Sequence, residues 1–223
     1  MTEPLNRQNL AATALIDSDH PAVVRFAGEH SAGDNQRQRA VSLYYAVRDS
    51  FRYDPYRIDL SVPGMRASQV IGNGYGWCVP KSALMCAAAR AIGIPARLGY
   101  ADVRNHLSTQ RMRDTMKTDV FIWHGYVELW IEDAWRKATP VFNRELCDKF
   151  GLLPLEWDGL SDSLYHAHDK SGRLHMEYVR QRGSFADMPL AEIEADFAQV
   201  YPDWGGLRKP DADFSADVAQ EIG

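Results

Sequence analysis

Cys78 sits in the run GYGWCVPKSALMCAAARAIGIPAR, where Gly72, Gly74 and Gly76 interrupt regular structure and an alanine-rich helix begins directly afterwards. A thiol in the first turn of a buried helix meets backbone N–H groups that have no intrahelical partner. Together with the helix dipole these groups favour the thiolate. A thiolate is a strong nucleophile near neutral pH, so acyl chemistry follows if a histidine faces it. The histidine that answers this need is His124 in FIWHGYVELWI, residues 121–131. Alternation makes that segment the clearest strand of the chain, with Phe121, Trp123, Gly125, Val127, Leu129 and Ile131 on one face. His124 then lies on the more polar face with Tyr126, Glu128 and Trp130.

Other elements must bring the two groups together. Asp19 and Pro21 read as a helix start. Asp34 or Asn35 reads as the cap of a second helix running to about Ser50, with Val41, Tyr44, Tyr45 and Phe51 on its buried side. Residues 51–74 read as an extended segment and loop leading to Cys78. The nucleophile helix is expected over Cys78 to Ile92, with Gly93 ending it and Pro95 preventing continuation. Ala83, Ala87, Ala88 and Ala89 let neighbours approach closely, which places this helix centrally. Residues 96–103 fit a short strand, and 104–119 read as a polar, irregular and functional loop. Glu132-Asp133 reads as a two-residue turn into AWRKATPV, a register that sets Tyr126 opposite Thr139 and puts Trp135 and Lys137 on the His124 face. Beyond Pro140 the pattern gives a short helix and loop, a strand or bridging segment at 174–183, and a helix with Leu190, Ile193, Phe197 and Val200 on one stripe. A polar tail follows Trp204.

The two runs GYGWCVPKSALMCAAARAIGIPAR and HGYVELWIEDAWRKATP together resemble the transglutaminase-like superfamily, whose core is a papain-like cysteine-catalysis fold. The resemblance implies an α+β architecture in which the nucleophile helix packs on an antiparallel sheet. It implies one domain over 1–223, with a core of about 36–145 and a C-terminal extension of about 146–223. It places Cys78 at the nucleophile position and His124 at that of the general base and acid, with the Cys78 backbone N–H helping to bind the oxyanion. The family's third residue is an aspartate before proline; here Thr139-Pro140 stands in its place. A threonine hydroxyl can orient an imidazole but offers no charge to the imidazolium. Thr139, Asn143 and Asp102 are therefore alternative orienters, and loss of catalysis is a further alternative. The implied activity is a cysteine hydrolase or acyltransferase acting on an amide or related acyl bond, with hydrolysis favoured. The alternative is a catalytically degenerate fold that binds a peptide or protein.

Tyr75 and Trp77 flank the nucleophile, and they and His106 are candidates to line the substrate cleft. Glu128 is too far along its strand to reach His124 and reads as a surface or hairpin ion pair. Cys86 and Cys147 read as packing thiols. His166, His168 and His175 have no recognised ligand spacing, and no calcium-loop pattern is present, so neither metal nor cofactor is expected. The remaining bounds come from composition. The 223 residues are 45% hydrophobic and 25% charged, which is ordinary for a globular domain. A net charge of -5 argues against a nucleic-acid partner. No apolar run is long enough to span a membrane and no leader pattern is visible. With three cysteines, an odd number, the chain reads as a cytoplasmic protein with reduced thiols. Peptides, proteins or amide-bearing small molecules are the expected substrates.

Overall fold

The computed structural model describes residues 7–106, 108–164, 168–207 and 212–222. His166 lies outside them. The helices are α1 (Pro21–His30), α2 (Gln36–Ser50), α3 (Val62–Met65), α4 (Ala67–Asn73), α5 (Cys78–Ala91), α6 (Gln110–Met116), α7 (Arg144–Phe150), α8 (Leu190–Val200) and α9 (Phe214–Ile222). The strands are β1 (Arg52–Tyr53), β2 (Tyr75–Gly76), β3 (Ala96–Asn105), β4 (Val120–Ile131), β5 (Ala134–Ala138) and β6 (Met176–Phe185). The last four form one antiparallel sheet in the order β5-β4-β3-β6, and β1 pairs with β2 in parallel.

α5 is the centre of the molecule. Every residue from Cys78 to Arg90 is buried, as befits a helix whose apolar character runs all the way round. It packs on β4 and β3, with α1, α2 and α4 about its other sides. Its two buried cations are both satisfied by backbone. Lys81 Nζ donates to the carbonyls of Arg48 and Phe51, at 2.9 and 2.7 Å, at the C-terminal end of α2. The Arg90 guanidinium donates to the carbonyls of Ala11, Ala96 and Ala186 and so ties three segments together.

Several local readings are refined. α1 is capped by His20, whose Nδ1 accepts from the Ala22 N–H, rather than by Asp19. Asn35 caps α2 through the Gln38 N–H at 2.9 Å. Residues 51–74, read as an extended segment and loop, contain β1 and also α3 and α4, which are too short for periodicity to reveal. Residues 104–119 are not wholly irregular: β3 runs on to Asn105, and Thr109 caps α6 by accepting from the Met112 N–H. The tail contains α9, with Phe214 and Val218 buried. Val200, expected on the buried stripe of α8, is exposed.

The β4–β5 register agrees with the two-residue turn. Val127 faces Ala138, Glu128 faces Lys137 and Trp130 faces Trp135. Glu132 and Asp133 both take positive φ, 49° and 59°, the handedness that a tight hairpin requires. Glu128 is not a surface group. It is buried, pairs with Arg97 on β3 at 2.6 Å and accepts from Ser184 Oγ, because the sheet closes over this position on the β6 side.

Candidate active site

The first turn of α5 has an unusual start. Its N-cap residue is Trp77, which supplies no side-chain acceptor, so the first backbone N–H groups stay uncapped. The Cys78 sulfur lies among the backbone N–H groups of Gly125, Val79 and Cys78 itself. These pull the thiol towards ionisation, as expected of a helix start. Burial opposes them and wins, pushing the Cys78 pKa up to about 11. The thiolate expected near neutral pH is therefore not the form this closed site favours.

β4 passes directly over that helix start. A Cβ on Gly125 would lie 3.1 Å from Val79 Cα and 3.2 Å from the Cys78 carbonyl oxygen, so any side chain there must push backbone aside by a few tenths of an ångström. Gly76 is crowded too: a Cβ there would meet Lys81 Cγ at 3.1 Å and Val70 Cγ2 at 3.3 Å.

His124 is aimed by a bulge. Ala101 pairs with His124 but Val103 pairs with Phe121, so Ile122 and Trp123 together oppose Asp102. Trp123 takes φ 57°, a left-handed conformation costly for a bulky residue. The bulge is fastened on several sides. Asp102 Oδ1 accepts from the Trp123 N–H and from Arg182 Nε. The Trp123 indole N–H donates to Asp196, which Arg182 also holds. The Arg182 guanidinium lies 4.3 Å from the Trp123 ring. The extra residue breaks strict alternation, so Phe121, Ile122 and His124 all line the same chamber as Cys78.

The chamber is small and mostly apolar. Its open volume is about 50 Å³. Cys78 and His124 are 7% and 5% exposed. Tyr53 stands beside the sulfur, its hydroxyl held far above its usual pKa by burial and by the Cys78 and Asp54 charges. Trp77 walls both this chamber and an outer groove of about 460 Å³, whose lining includes Tyr75, Arg57, Asp59 and Gln69. The Trp77 ring packs on Phe197 at 5.9 Å, and Arg57 lies over Tyr75 at 5.3 Å.

The three alternative orienters separate clearly. Thr139 lines a small apolar hollow with His124, Phe142, Leu155 and Met176. Its Oγ1 is buried and makes no hydrogen bond among the described residues. Asn143 is elsewhere: its Oδ1 accepts from the Tyr53 N–H at 3.0 Å, and it flanks a hollow beside Arg52 and Asp54. The Asp102 carboxylate is engaged by Trp123 and Arg182 on the bulge, so it holds the strand rather than lining the chamber. His106 does not reach the chamber either. It is exposed beside Glu177, and only its backbone N–H points inward, to the His175 carbonyl.

His175 was grouped by sequence with two other histidines; the structure instead buries it in the Cys78 chamber, stacked on Phe142 at 6.0 Å. Tyr53, Gly125 and Phe214 also belong to the site and went unread. The Gly after His124 was the available signal, because a glycine on the apolar face of a strand implies a close neighbour. Among the described residues no cluster of side chains has the makings of a metal site.

The family model of the transglutaminase-like superfamily matches residues 25–140, more than half of the chain, and that span contains both Cys78 and His124. The chain belongs to the transglutaminase-like superfamily. Two solved structures align with it. A candidate cysteine protease from Cytophaga hutchinsonii aligns at 14% identity and a TM-score of 0.48, over 82% of this chain and 55% of that one. A candidate protease from Parabacteroides distasonis aligns at 17% identity and a TM-score of 0.38, over 56% of this chain and 26% of that one. The chain thus spans about half the length of the first and a quarter of the second. No curated protein matches it. The transglutaminase-like core accounts for α2, α5 and the β3–β4–β5 hairpins. β6, α8 and α9 lie beyond the matched residues and complete the sheet edge and the chamber wall. No helix among the described residues is long and apolar enough to cross a membrane.

Proposed function

We propose that this chain is a cysteine hydrolase that cleaves an amide bond in a peptide, protein or small amide through a thioester on Cys78. The observation that carries the reading is that Cys78 and His124 line one chamber, with the residue after His124 pressed against the Cys78 backbone. His124 takes the Cys78 proton as sulfur bonds to the carbonyl carbon. The oxyanion develops beside the uncapped N–H groups of α5. The C–N bond breaks as His124 returns the proton to the departing amine. Water then adds to the thioester, releasing a carboxylic acid and restoring the thiol. An amine in place of water would make the same intermediate a transfer reaction. Thr139 is the orienter in this scheme, since its unbonded hydroxyl shares the hollow with His124. The scheme uses no metal or cofactor, and three buried thiols suit a reducing, cytoplasmic setting.

The decisive measurement is release of 4-nitrophenol from a 4-nitrophenyl ester, with the acyl-enzyme detected by mass. The wild type forms an adduct on Cys78 and turns it over. Cys78→Ala forms none while keeping its circular dichroism. Undiminished turnover in Cys78→Ala removes the assigned nucleophile. A second reading, a binding module in the old cleft, is favoured by the neutral Thr139 in the position of the family's carboxylate. It predicts a wild type that binds peptide but never acylates.

A further inference from the structure

One wall of the Cys78 chamber is supplied by Phe214, at the start of α9. Its ring meets Tyr56 at 5.3 Å and Tyr53 at 5.7 Å, both edge-on, and Phe150 at 6.1 Å. Tyr53 and Phe150 line the Cys78 chamber with Phe214, Tyr53 beside the sulfur, and Tyr56, a wall of the outer groove, completes an aromatic box around the Phe214 ring. The water-accessible space beside it is about 50 Å³, enough for a few waters at about 10–15 Å³ each. An acyl side chain directed at this wall would meet the Phe214 ring.

The way α9 is held sets it apart from the other walls. Cys78 and His124 are carried by α5 and the middle of the sheet. α9 is fastened by Asp217, which accepts from Arg111 Nε and from the Tyr56 hydroxyl, both at 2.8 Å. Glu221 accepts from the Gln110 N–H, and Lys149 donates to Ser215. These are partly exposed polar contacts that water can replace one by one. Displacing the helix would empty a preformed box whose edges already suit a ring.

We propose that the Tyr53–Tyr56–Phe150 box is the specificity subsite for the side chain of the acyl group that Cys78 attacks, that it takes an aromatic or bulky aliphatic side chain, and that Phe214 is its resident occupant until substrate displaces α9. The claim rests on Cys78 as the nucleophile, but its test does not require turnover. In the Cys78→Ala background, 3-phenylpropionamide and the charged glutaramate are titrated against the intact chain, with tryptophan fluorescence as the readout. Adding Phe214→Ala raises affinity for 3-phenylpropionamide about tenfold and leaves glutaramate unchanged. In the better-packed Phe214→Leu the gain is about threefold, because less of the box is vacated. Equal affinities with and without Phe214, in either variant, overturn the proposal, as does an equal gain for both amides. If 3-phenylpropionamide binds as expected but no 4-nitrophenyl ester acylates the wild-type thiol, the box stands only as a binding pocket for apolar side chains and the hydrolase reading, with the acyl role of the box, falls.

Discussion

Cys78 and His124 are carried by α5 and β4, which are buried almost end to end, whereas the facing wall is carried by α6 and α9, whose mutual ties Arg111–Asp217 and Arg113–Glu221 still meet solvent. The first wall is fixed by close packing, in which a single added methyl has nowhere to go. The second is fixed by ion pairs worth about 0–1 kcal/mol each, together with the burial of Phe214 and Val218. The contrast separates two tasks. Reacting atoms need positions good to a fraction of an ångström, while access needs a wall that can leave at modest cost. In the proposed scheme the burial that closes the chamber is also what keeps the Cys78 thiol protonated.

The largest effect should come from disturbing the packed wall. Gly125→Val forces a side chain against Val79 Cα and the Cys78 carbonyl and moves β4 away from α5. Overpacking of this kind costs about 1–3 kcal/mol, and misplacing His124 by about 1 Å costs on the order of 10²-fold in rate. Urea denaturation and single-turnover acylation read the two separately. A variant that loses stability but acylates normally would show that the close approach serves packing alone.

Thr139→Asp sharpens the picture of the same wall. A carboxylate in the hollow beside His124 would stabilise the imidazolium, and the rate should rise by about tenfold. The charge is buried, so stability should fall by about 1–3 kcal/mol. A loss of stability with no gain in rate would direct attention to another orienter.

How much of this was legible in the sequence follows the same division. The nucleophile helix, the His124 strand and its hairpin register were readable because glycine breaks, alternation and a two-residue turn are local signals. The bulge at Trp123 was not, since it depends on Asp102 and Arg182 from other strands holding a left-handed backbone. Asp102 and Asn143 have the right chemistry for an orienter, but only tertiary structure shows that both are already engaged. His106, expected in the cleft, and His175, grouped with two other histidines, lie elsewhere for a similar reason. The backbone bond between them fixes one side chain outward and the other into the chamber, and no spacing encodes that. α9 was missed because it is short and its large apolar residues, Phe214, Val218 and Ile222, are set among acidic and polar ones.

Lys81 tests the packed wall by pH. Burial pushes its ammonium down to about 7, against the pull of two carbonyls at the end of α2. Between about 7 and the usual lysine value the unfolded chain holds the extra proton, so stability rises with pH across that window and is lost as pH falls through 7. Lys81→Met removes this dependence at similar volume. The stability of wild type relative to Lys81→Met should therefore grow from pH 7 to pH 10, with tyrosine and cysteine titrations cancelling in the difference. A flat difference would mean that the two carbonyls keep the ammonium charged throughout.

The smallest effect belongs to the loosely held wall. Asp217→Asn keeps the Tyr56 contact and removes the ion pair to Arg111, a change of no more than about 1 kcal/mol. If α9 opens as a unit, the open fraction rises by up to about fivefold, and iodoacetamide labelling of Cys78 rises with it. Cys86, buried within α5, should stay slow; faster labelling of Cys86 as well would mean general loosening. The pH dependence adds a second readout. Opening hydrates the thiol and removes the burial that raised its pKa to about 11, leaving the uncapped N–H groups of α5 to pull the other way. The midpoint of Cys78 labelling should then move to lower pH in Asp217→Asn. An unchanged midpoint with faster labelling would locate the opening somewhere other than the wall that desolvates the sulfur.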